Sequence, residues 1–465
     1  MDTPQYLIFA MFFCIGGLIT VGIAAILSKK RVAAFMASSA LLSAVVVSAA
    51  YLLAANYDAT LFNLVHVYVL SSLFIMIFSI SIMLVNMLAY SNSRDYHEVS
   101  FLLGISFAGM FMVATAVSIL AILIGLELLA IATAFMILLE GRHRIEAAVK
   151  FFILGSVSVA VLAFALALLL PYDPALALSA APAKSIVGTG MIILSIVMFA
   201  AAFGFDAALF PFNLWVPDVY EGSPGYVTSM LAGINKKVAF LALIEVFFLV
   251  FLAYRSTFST IFTVLAILTM FFGNLVALAQ KSVKRLLAYS SISQAGYILV
   301  GLATVTQYGL EASIFYIIAH AFMIIGAFAI VMWLESNNIK TIDDYTALDS
   351  RNRFAAIALT IFMLSMAGIP PLIGFAGKFL LFSSAISGNL AILAAIGIIN
   401  SFISIYYYAR VMNAMYSRKA EKALGMELYV AAVVVIALGI VIAFGAYPQP
   451  LIAIASRAAS SLIGI

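Results

Sequence analysis

The chain has 465 residues, 66% hydrophobic and 9% charged, a composition that excludes a water-soluble domain of this length and indicates a polytopic membrane protein. The net charge of +4 and a pI near 8.9 do not point to nucleic acid, because the basic residues are spread between apolar segments and form no patch. The single cysteine, Cys14, excludes an internal disulfide and a cysteine-built metal or cluster site, and His66, His97, His143 and His320 form no ligand pattern.

At roughly 20 apolar residues per crossing, the sequence predicts fourteen spans. Their limits are 5–28, 32–55, 62–90, 99–117, 118–139, 146–171, 184–213, 226–252, 257–281, 285–303, 308–335, 354–384, 388–415 and 426–447. The first lacks a preceding basic run and is followed by Lys29-Lys30-Arg31, which argues for an uncleaved span rather than a secretory signal. Nothing charged separates spans 4 and 5, and only their joint length predicts a hairpin there.

Loop charges orient this series. With the N-terminus outside, inside loops hold Lys29, Lys30, Arg31, Arg94, Arg142, Arg144, Lys281, Lys284, Arg285, Lys340, Arg351, Arg353, Arg410, Arg418, Lys419 and Lys422. Outside loops hold Lys184, Arg255 and Arg457, a partition that obeys the positive-inside rule and predicts both termini on the outer side. No segment between spans is long enough for a soluble domain, so any redox cofactor would belong to another subunit.

Two spans are interrupted. Span 7 contains Pro211, with Pro217 close behind, and span 12 contains the run LSMAGIPPLIGFAGKF, with Gly368, Pro370, Pro371, Gly374 and Gly377 ahead of Lys378. A proline ring cannot continue the helical ladder, and backbone freed at membrane depth is tolerated only inside protein or beside a watery cavity. A kinked helix whose lysine snorkels to the surface is the plainer alternative. Two broken helices five spans apart predict a duplicated five-helix unit, spans 4–8 and 9–13, and an odd-numbered unit repeated in tandem must be inverted. The expected organisation is an all-α membrane protein with a three-helix segment 1–98, repeats 99–252 and 257–415, and a C-terminal helix and tail 416–465.

Charged residues at membrane depth are Glu127 in span 5, Lys150 in span 6, Asp206 in span 7, Lys236, Lys237 and Glu245 in span 8, and Lys378 in span 12; His320 in span 11 titrates as well. Each costs about 2.5 to 3.5 kcal/mol on insertion scales. Glu127 lies roughly 13 Å into its span, near the midplane, and Lys236 sits at similar depth. A lysine and a carboxylate held together away from water form a proton-holding device that changes affinity when the pair separates. A fixed ion pair joining helices is the alternative, although buried pairs are weak stabilisers. Lys237 is expected to face away from Lys236, His66 to be a solvated interfacial residue, and Tyr406 to Tyr408 to be packing or lipid-facing aromatics.

Six runs can be matched together: GLEL (125–128), KFFILG (150–155), PFNLWVPDVYEGSP (211–224), GNLVALAQKSVKRLLAYSSISQAGY (273–297), HAFMIIGAF (320–328) and LSMAGIPPLIGFAGKF (364–379). As a set they resemble the antiporter-like proton-channel subunits of respiratory complex I, and PDVYEGSP resembles the N-type, as in NADH-quinone oxidoreductase subunit N and its archaeal and photosynthetic relatives. The resemblance covers roughly residues 100 to 415. It implies a non-redox subunit of a translocase complex in a prokaryotic cell membrane, beside M-type and K-type neighbours. Reduced carrier (NADH or another), FMN, iron–sulfur clusters and quinone would be handled by partner subunits, with no cofactor, metal or redox site in this chain.

By motif position the resemblance assigns a proton pathway to Glu127, Lys150, Lys236, His320 and Lys378, with Pro211, Pro370, Pro371 and Gly374 at the helix breaks. Asp206, Lys237 and Glu245 are further candidates. Two departures stand out: Phe205-Asp206 replaces the family's usual Phe-Lys, and Asn213 stands where the motif commonly has His. An Mrp-type cation/proton antiporter subunit is the alternative reading.

Overall fold

The computed structural model describes residues 3–139, 141, 144–178, 189–417 and 423–463. Arg142, His143, Lys184, Arg418, Lys419, Lys422 and the first residues expected for span 7 lie outside the described residues.

In chain order, α1 (Thr3–Ser28) and α2 (Arg31–Ala54) lead into an antiparallel hairpin, β1 (Ala59–Leu61) and β2 (Val65–Val67), with Thr60 opposite His66. Next come α3 (Val69–Asn92), α4 (Tyr96–Ala114), α5 (Ile119–Leu139), α6 (Ile145–Leu169), α7 (Thr189–Asp206), α8 (Trp215–Gly222), α9 (Gly225–Met230) and α10 (Lys236–Glu245). The series continues with α11 (Arg255–Leu278), α12 (Val283–Ala303), α13 (Gln307–Ser336), α14 (Leu348–Arg351), α15 (Arg353–Ala367), α16 (Ile373–Ser387), α17 (Ala391–Tyr416), α18 (Leu428–Ala446) and α19 (Gln449–Ile463).

Among the described residues, eleven helices are long and apolar enough to cross a membrane. The span expected at 184–213 contains one shorter helix, α7, with α8 beginning after its expected end; those expected at 226–252 and 354–384 coincide with shorter pieces, α9 and α10, and α15 and α16. The interruption between α9 and α10 has no proline. It is a π-helical stretch, Leu231–Asn235, and a second one, Val246–Val250, follows α10. Two other expectations are corrected. Span 3 does not begin at residue 62, because 59–67 form the hairpin, and the tail after residue 447 contains α19, whose buried Leu451, Ala455, Ala458 and Leu462 recur at helical spacing.

Helix ends follow local chemistry. The Asn352 side chain accepts from the Ala355 amide at 2.9 Å to start α15, and Thr306 accepts from Gly309 at 3.0 Å to start α13. α15 ends in the left-handed Gly368 (φ +90°), with the Gly368 and Ile369 amides both returning to Leu364.

The chain divides into two compact units, Met1–Ala207 with Ile234–Ile261 and Ser456–Ile465, and Ala208–Gly233 with Phe262–Ala455. In the first unit α1 packs on α2 and α4, α2 on α3, α4 on α5, α5 on α6, and α6 on α7, while α10 packs against α4, α5 and α7. In the second, α13 is the axis, with α9, α12, α15, α16 and α18 against it. A helix apolar on every side belongs in an interior, and α12 and α13 are buried throughout their most apolar windows.

Candidate functional site

Within the first unit, Lys236 and Lys237 open α10 directly after the π stretch, and both are about 1% exposed. The extra residue of a π turn re-aims the side chains that follow it. Asn235, its last residue, donates from Nδ2 to Thr133 Oγ1 on α5 at 3.0 Å, fixing this turn against the helix that carries Glu127. Lys237, expected on another face than Lys236, is as fully enclosed as its neighbour, because α10 is packed on all sides.

Glu127 is half-buried on α5, and Asp206 is the last residue of α7, at the end where a helix favours a cation. The two carboxyl groups interact electrostatically with each other. Among the described residues Glu127 forms no ion pair, so the expected pairing of Glu127 with a lysine is replaced by a neighbouring acid.

Lys150 lies near the start of α6, as expected, but on an open side of it. Its Nζ pairs with Glu146, one turn earlier on α6, at 2.8 Å, and its side chain is 40% exposed. That pair was legible in the i, i+4 spacing.

In the second unit the break between α15 and α16 is built around Lys378, which is 3% exposed. Its Nζ donates to the Ala367 carbonyl at 3.1 Å and to Ser401 Oγ at 2.8 Å, and lies 4.4 Å from the centre of the Tyr297 ring. A cation at the open C-terminal end of a helix and over an aromatic face is stabilised on both counts. Gly368 leaves room for this: a Cβ there would lie 2.9 Å from Lys378 Cδ. At Gly374 a Cβ would lie 1.8 Å from the Ser365 carbonyl, so only glycine lets α16 start so close to α15.

From Tyr297 a buried polar track continues. Asn274 donates to Asn400 Oδ1 at 3.0 Å and to Tyr297 Oη at 3.4 Å, and Tyr407 donates back to Asn274 Oδ1 at 3.0 Å. Tyr408 Oη and Ser290 Oγ are hydrogen-bonded to each other, Tyr316 donates to Gln294 Oε1, and Gln294 donates to the Met366 carbonyl at 3.1 Å. Tyr407 and Tyr408 are packing aromatics of the interior, as one half of the expectation has it, and are hydrogen-bonded as well, whereas Tyr406, 63% exposed, fits the lipid-facing half. The density of polar residues in YSSISQAGY, on a helix with no exposed face, was the available signal.

His320 lies at mid-length on α13 and is about 1% exposed. Pro211 lies in the connection from α7 to α8, where the Phe210 amide donates to Thr269 Oγ1 at 3.0 Å. Asn213 in the same connection is fully buried, and among the described residues neither amide atom has a partner. Pro370 and Pro371 lie in the connection from α15 to α16. Two motifs are clamped together: Arg285 reaches Asp218 at 3.0 Å and Glu221 at 2.8 Å, and Lys284 holds Glu335 at 2.8 Å and the Ser223 carbonyl at 2.9 Å. Among the described residues no group of three or more His, Cys, Asp or Glu is placed to hold a metal ion.

Comparison with known proteins places this geometry. Residues 116–404 match the family described as NADH:quinone oxidoreductase/Mrp antiporter, transmembrane. The chain is 38% identical over 394 residues to F(420)H(2) dehydrogenase subunit N of Methanosarcina mazei, covering 80% of each chain. It is 38% identical over 365 residues to NADH-quinone oxidoreductase subunit N of Desulforamulus reducens, covering 76% of each. A chain of respiratory complex I from Thermus thermophilus superposes with a TM-score of 0.80 at 28% identity, covering 95% of this chain and 99% of that one. The buried lysines, the broken helices and these matches together make the chain a member of the NADH:quinone oxidoreductase/Mrp antiporter transmembrane family.

Proposed function

We propose that this chain is the N-type, proton-translocating membrane subunit of a complex I-like pump that couples reduction of a quinone or methanophenazine to proton transfer. The observation that carries the reading is Lys378, a single ammonium held at the severed end of α15 and joined to a buried hydrogen-bonded track. Such a site holds a proton where the bilayer otherwise has none, and its affinity depends on the geometry of the break.

In this reading the chain has fourteen spans in two inverted five-helix repeats, 99–252 and 257–415, with both termini outside. Protons pass along Glu127, Asp206, Lys236, Lys237, His320 and Lys378 by way of water, and the buried orphan amide of Asn213 supports a water in the α7–α8 connection. Lys150, being exposed, takes part from the flank of the first unit. Electrons enter elsewhere, through subunits that handle NADH, a reduced deazaflavin or another carrier, and M-type and K-type membrane subunits adjoin this one. The names of its relatives, an F(420)H(2) dehydrogenase subunit and NADH-quinone oxidoreductase subunits, support both kinds of donor.

The test is the proton-to-electron ratio of the assembled complex in vesicles. Lys378→Ala and Glu127→Ala should each lower it while electron transfer to the acceptor persists; an unchanged ratio in both would falsify the scheme. An Mrp-type cation/proton exchanger is the second reading, because the matched family spans both kinds of protein. Proton movement that requires Na⁺ would favour it.

A further inference from the structure

Glu245 closes α10, about 1% exposed, where the second π stretch begins. Its Oε1 accepts a hydrogen bond from Tyr68 Oη at 3.0 Å, and its Oε2 has no partner among the described residues. No cation pairs with it there. A buried carboxyl oxygen without a donor costs more than the bond it forgoes, unless the group carries a proton or meets water.

Water has a way in. Glu245 and Tyr68 line a cavity of about 640 Å³ whose other walls include Thr60, His66, Ser118 and Ser461, all in the first unit. Thr60 is exposed and Glu245 is buried, so the cavity runs from the hairpin at the unit's surface to the carboxyl group. Its rim is tied by backbone hydrogen bonds: the His66 amide to Thr115 at 2.9 Å, Ile119 to Leu176 at 2.9 Å, and Leu178 to Val117 at 3.0 Å. This is a framed opening rather than a packing gap.

The titratable groups form a line through it. His66 Nε2 lies 2.8 Å from Asp58 Oδ1 at the exposed end, the His66 ring stacks on Tyr68 at 4.7 Å, and Tyr68 reaches Glu245. Arg457 on α19 is bonded to Asn56 at 3.1 Å. The helices against α10 carry His97 and Glu98 on α4, Glu127 on α5 and Asp206 on α7, and Lys236 and Lys237 start α10 itself. Among the described residues none of these hydrogen-bonds to or pairs with Glu245.

We propose that Glu245 is a proton-loading carboxyl of the first unit, charged and discharged through this cavity from the membrane face that bears the hairpin, and separate from the port at Lys378. The inference rests on the proton-translocating reading above. By the loop charges that face is the outer one.

The experiment uses the assembled complex. Glu245→Gln should lower the protons moved per electron, and infrared difference spectra recorded across a pH step should lose one carboxyl band. In a Cys14→Ser background, Ser118→Cys and Ser461→Cys should react with a membrane-impermeant thiol reagent from the outer side, and Glu245→Gln should not alter that labelling. If Glu127→Ala and Lys378→Ala lower the ratio but Glu245→Gln leaves ratio and spectrum unchanged, the port is refuted and the general reading stands. If none of the three changes the ratio, the general reading has failed. Labelling only from the inner side, or a carboxyl band that responds to Na⁺ at fixed pH, overturns the proposal.

Discussion

Lys378 donates to the carbonyl of Ala367, the last residue of the helix that the chain abandons eleven positions earlier. The break and the charge are thus one device: the helix end supplies an acceptor with no intrahelical partner, and the lysine supplies the donor. Gly368→Ala tests the coupling. A left-handed alanine costs about 1 to 2 kcal/mol, and its Cβ would push on Lys378 Cδ. We expect a lower proton-to-electron ratio and a small fall in the melting temperature of the complex, whereas Lys378→Arg should keep more of the ratio than Lys378→Ala.

Gly374→Ala should do greater damage. Its Cβ would meet a backbone carbonyl at 1.8 Å, and backbone cannot swing aside as a side chain does. The expected result is loss of assembled complex on native gels. Gly16→Ala, where nothing lies within 4 Å, should assemble as the parent does.

Asp206 stands at a helix end that favours a cation, beside Glu127. Asp206→Asn should lower proton movement to the level of Glu127→Gln while leaving thermal stability equal to or above that of the parent, because the two acids repel each other. A drop in stability with an unchanged ratio would assign Asp206 a purely structural part.

Two of the lysine ion pairs, at Lys150 and Lys284, differ in surroundings. Lys150→Ala removes an exposed i, i+4 contact worth about 0.3 to 0.5 kcal/mol, and melting should barely move. Lys284→Ala strips Glu335 and the Ser223 carbonyl of a donor that is only 5% exposed, and should cost about 3 kcal/mol in a denaturant titration.

Composition and proline placement made the helical class and the breaks near Pro211 and Pro371 readable, because a missing amide and a run of apolar residues act locally. The motifs placed Lys236, His320 and Lys378 in the interior. What escaped was set by packing. The π stretches at Leu231–Asn235 and Val246–Val250 have no residue signature, and Lys237 is buried by α10's neighbours rather than by its own periodicity. The Asn274, Tyr297, Asn400 and Tyr407 cluster needs residues up to 133 positions apart, a distance no local pattern spans. For Lys150 the depth along the helix was visible in sequence, but the half-open side it faces was not.

Ten residues of regular helix separate the two looser turns, and Lys236 and Glu245 occupy its two ends. The rod between them is rigid, so any slippage of one residue at either turn would swing ammonium and carboxyl together by roughly 100°. On the proposed route, protonation at one end of α10 would thereby be geared to the other end through a single shaft.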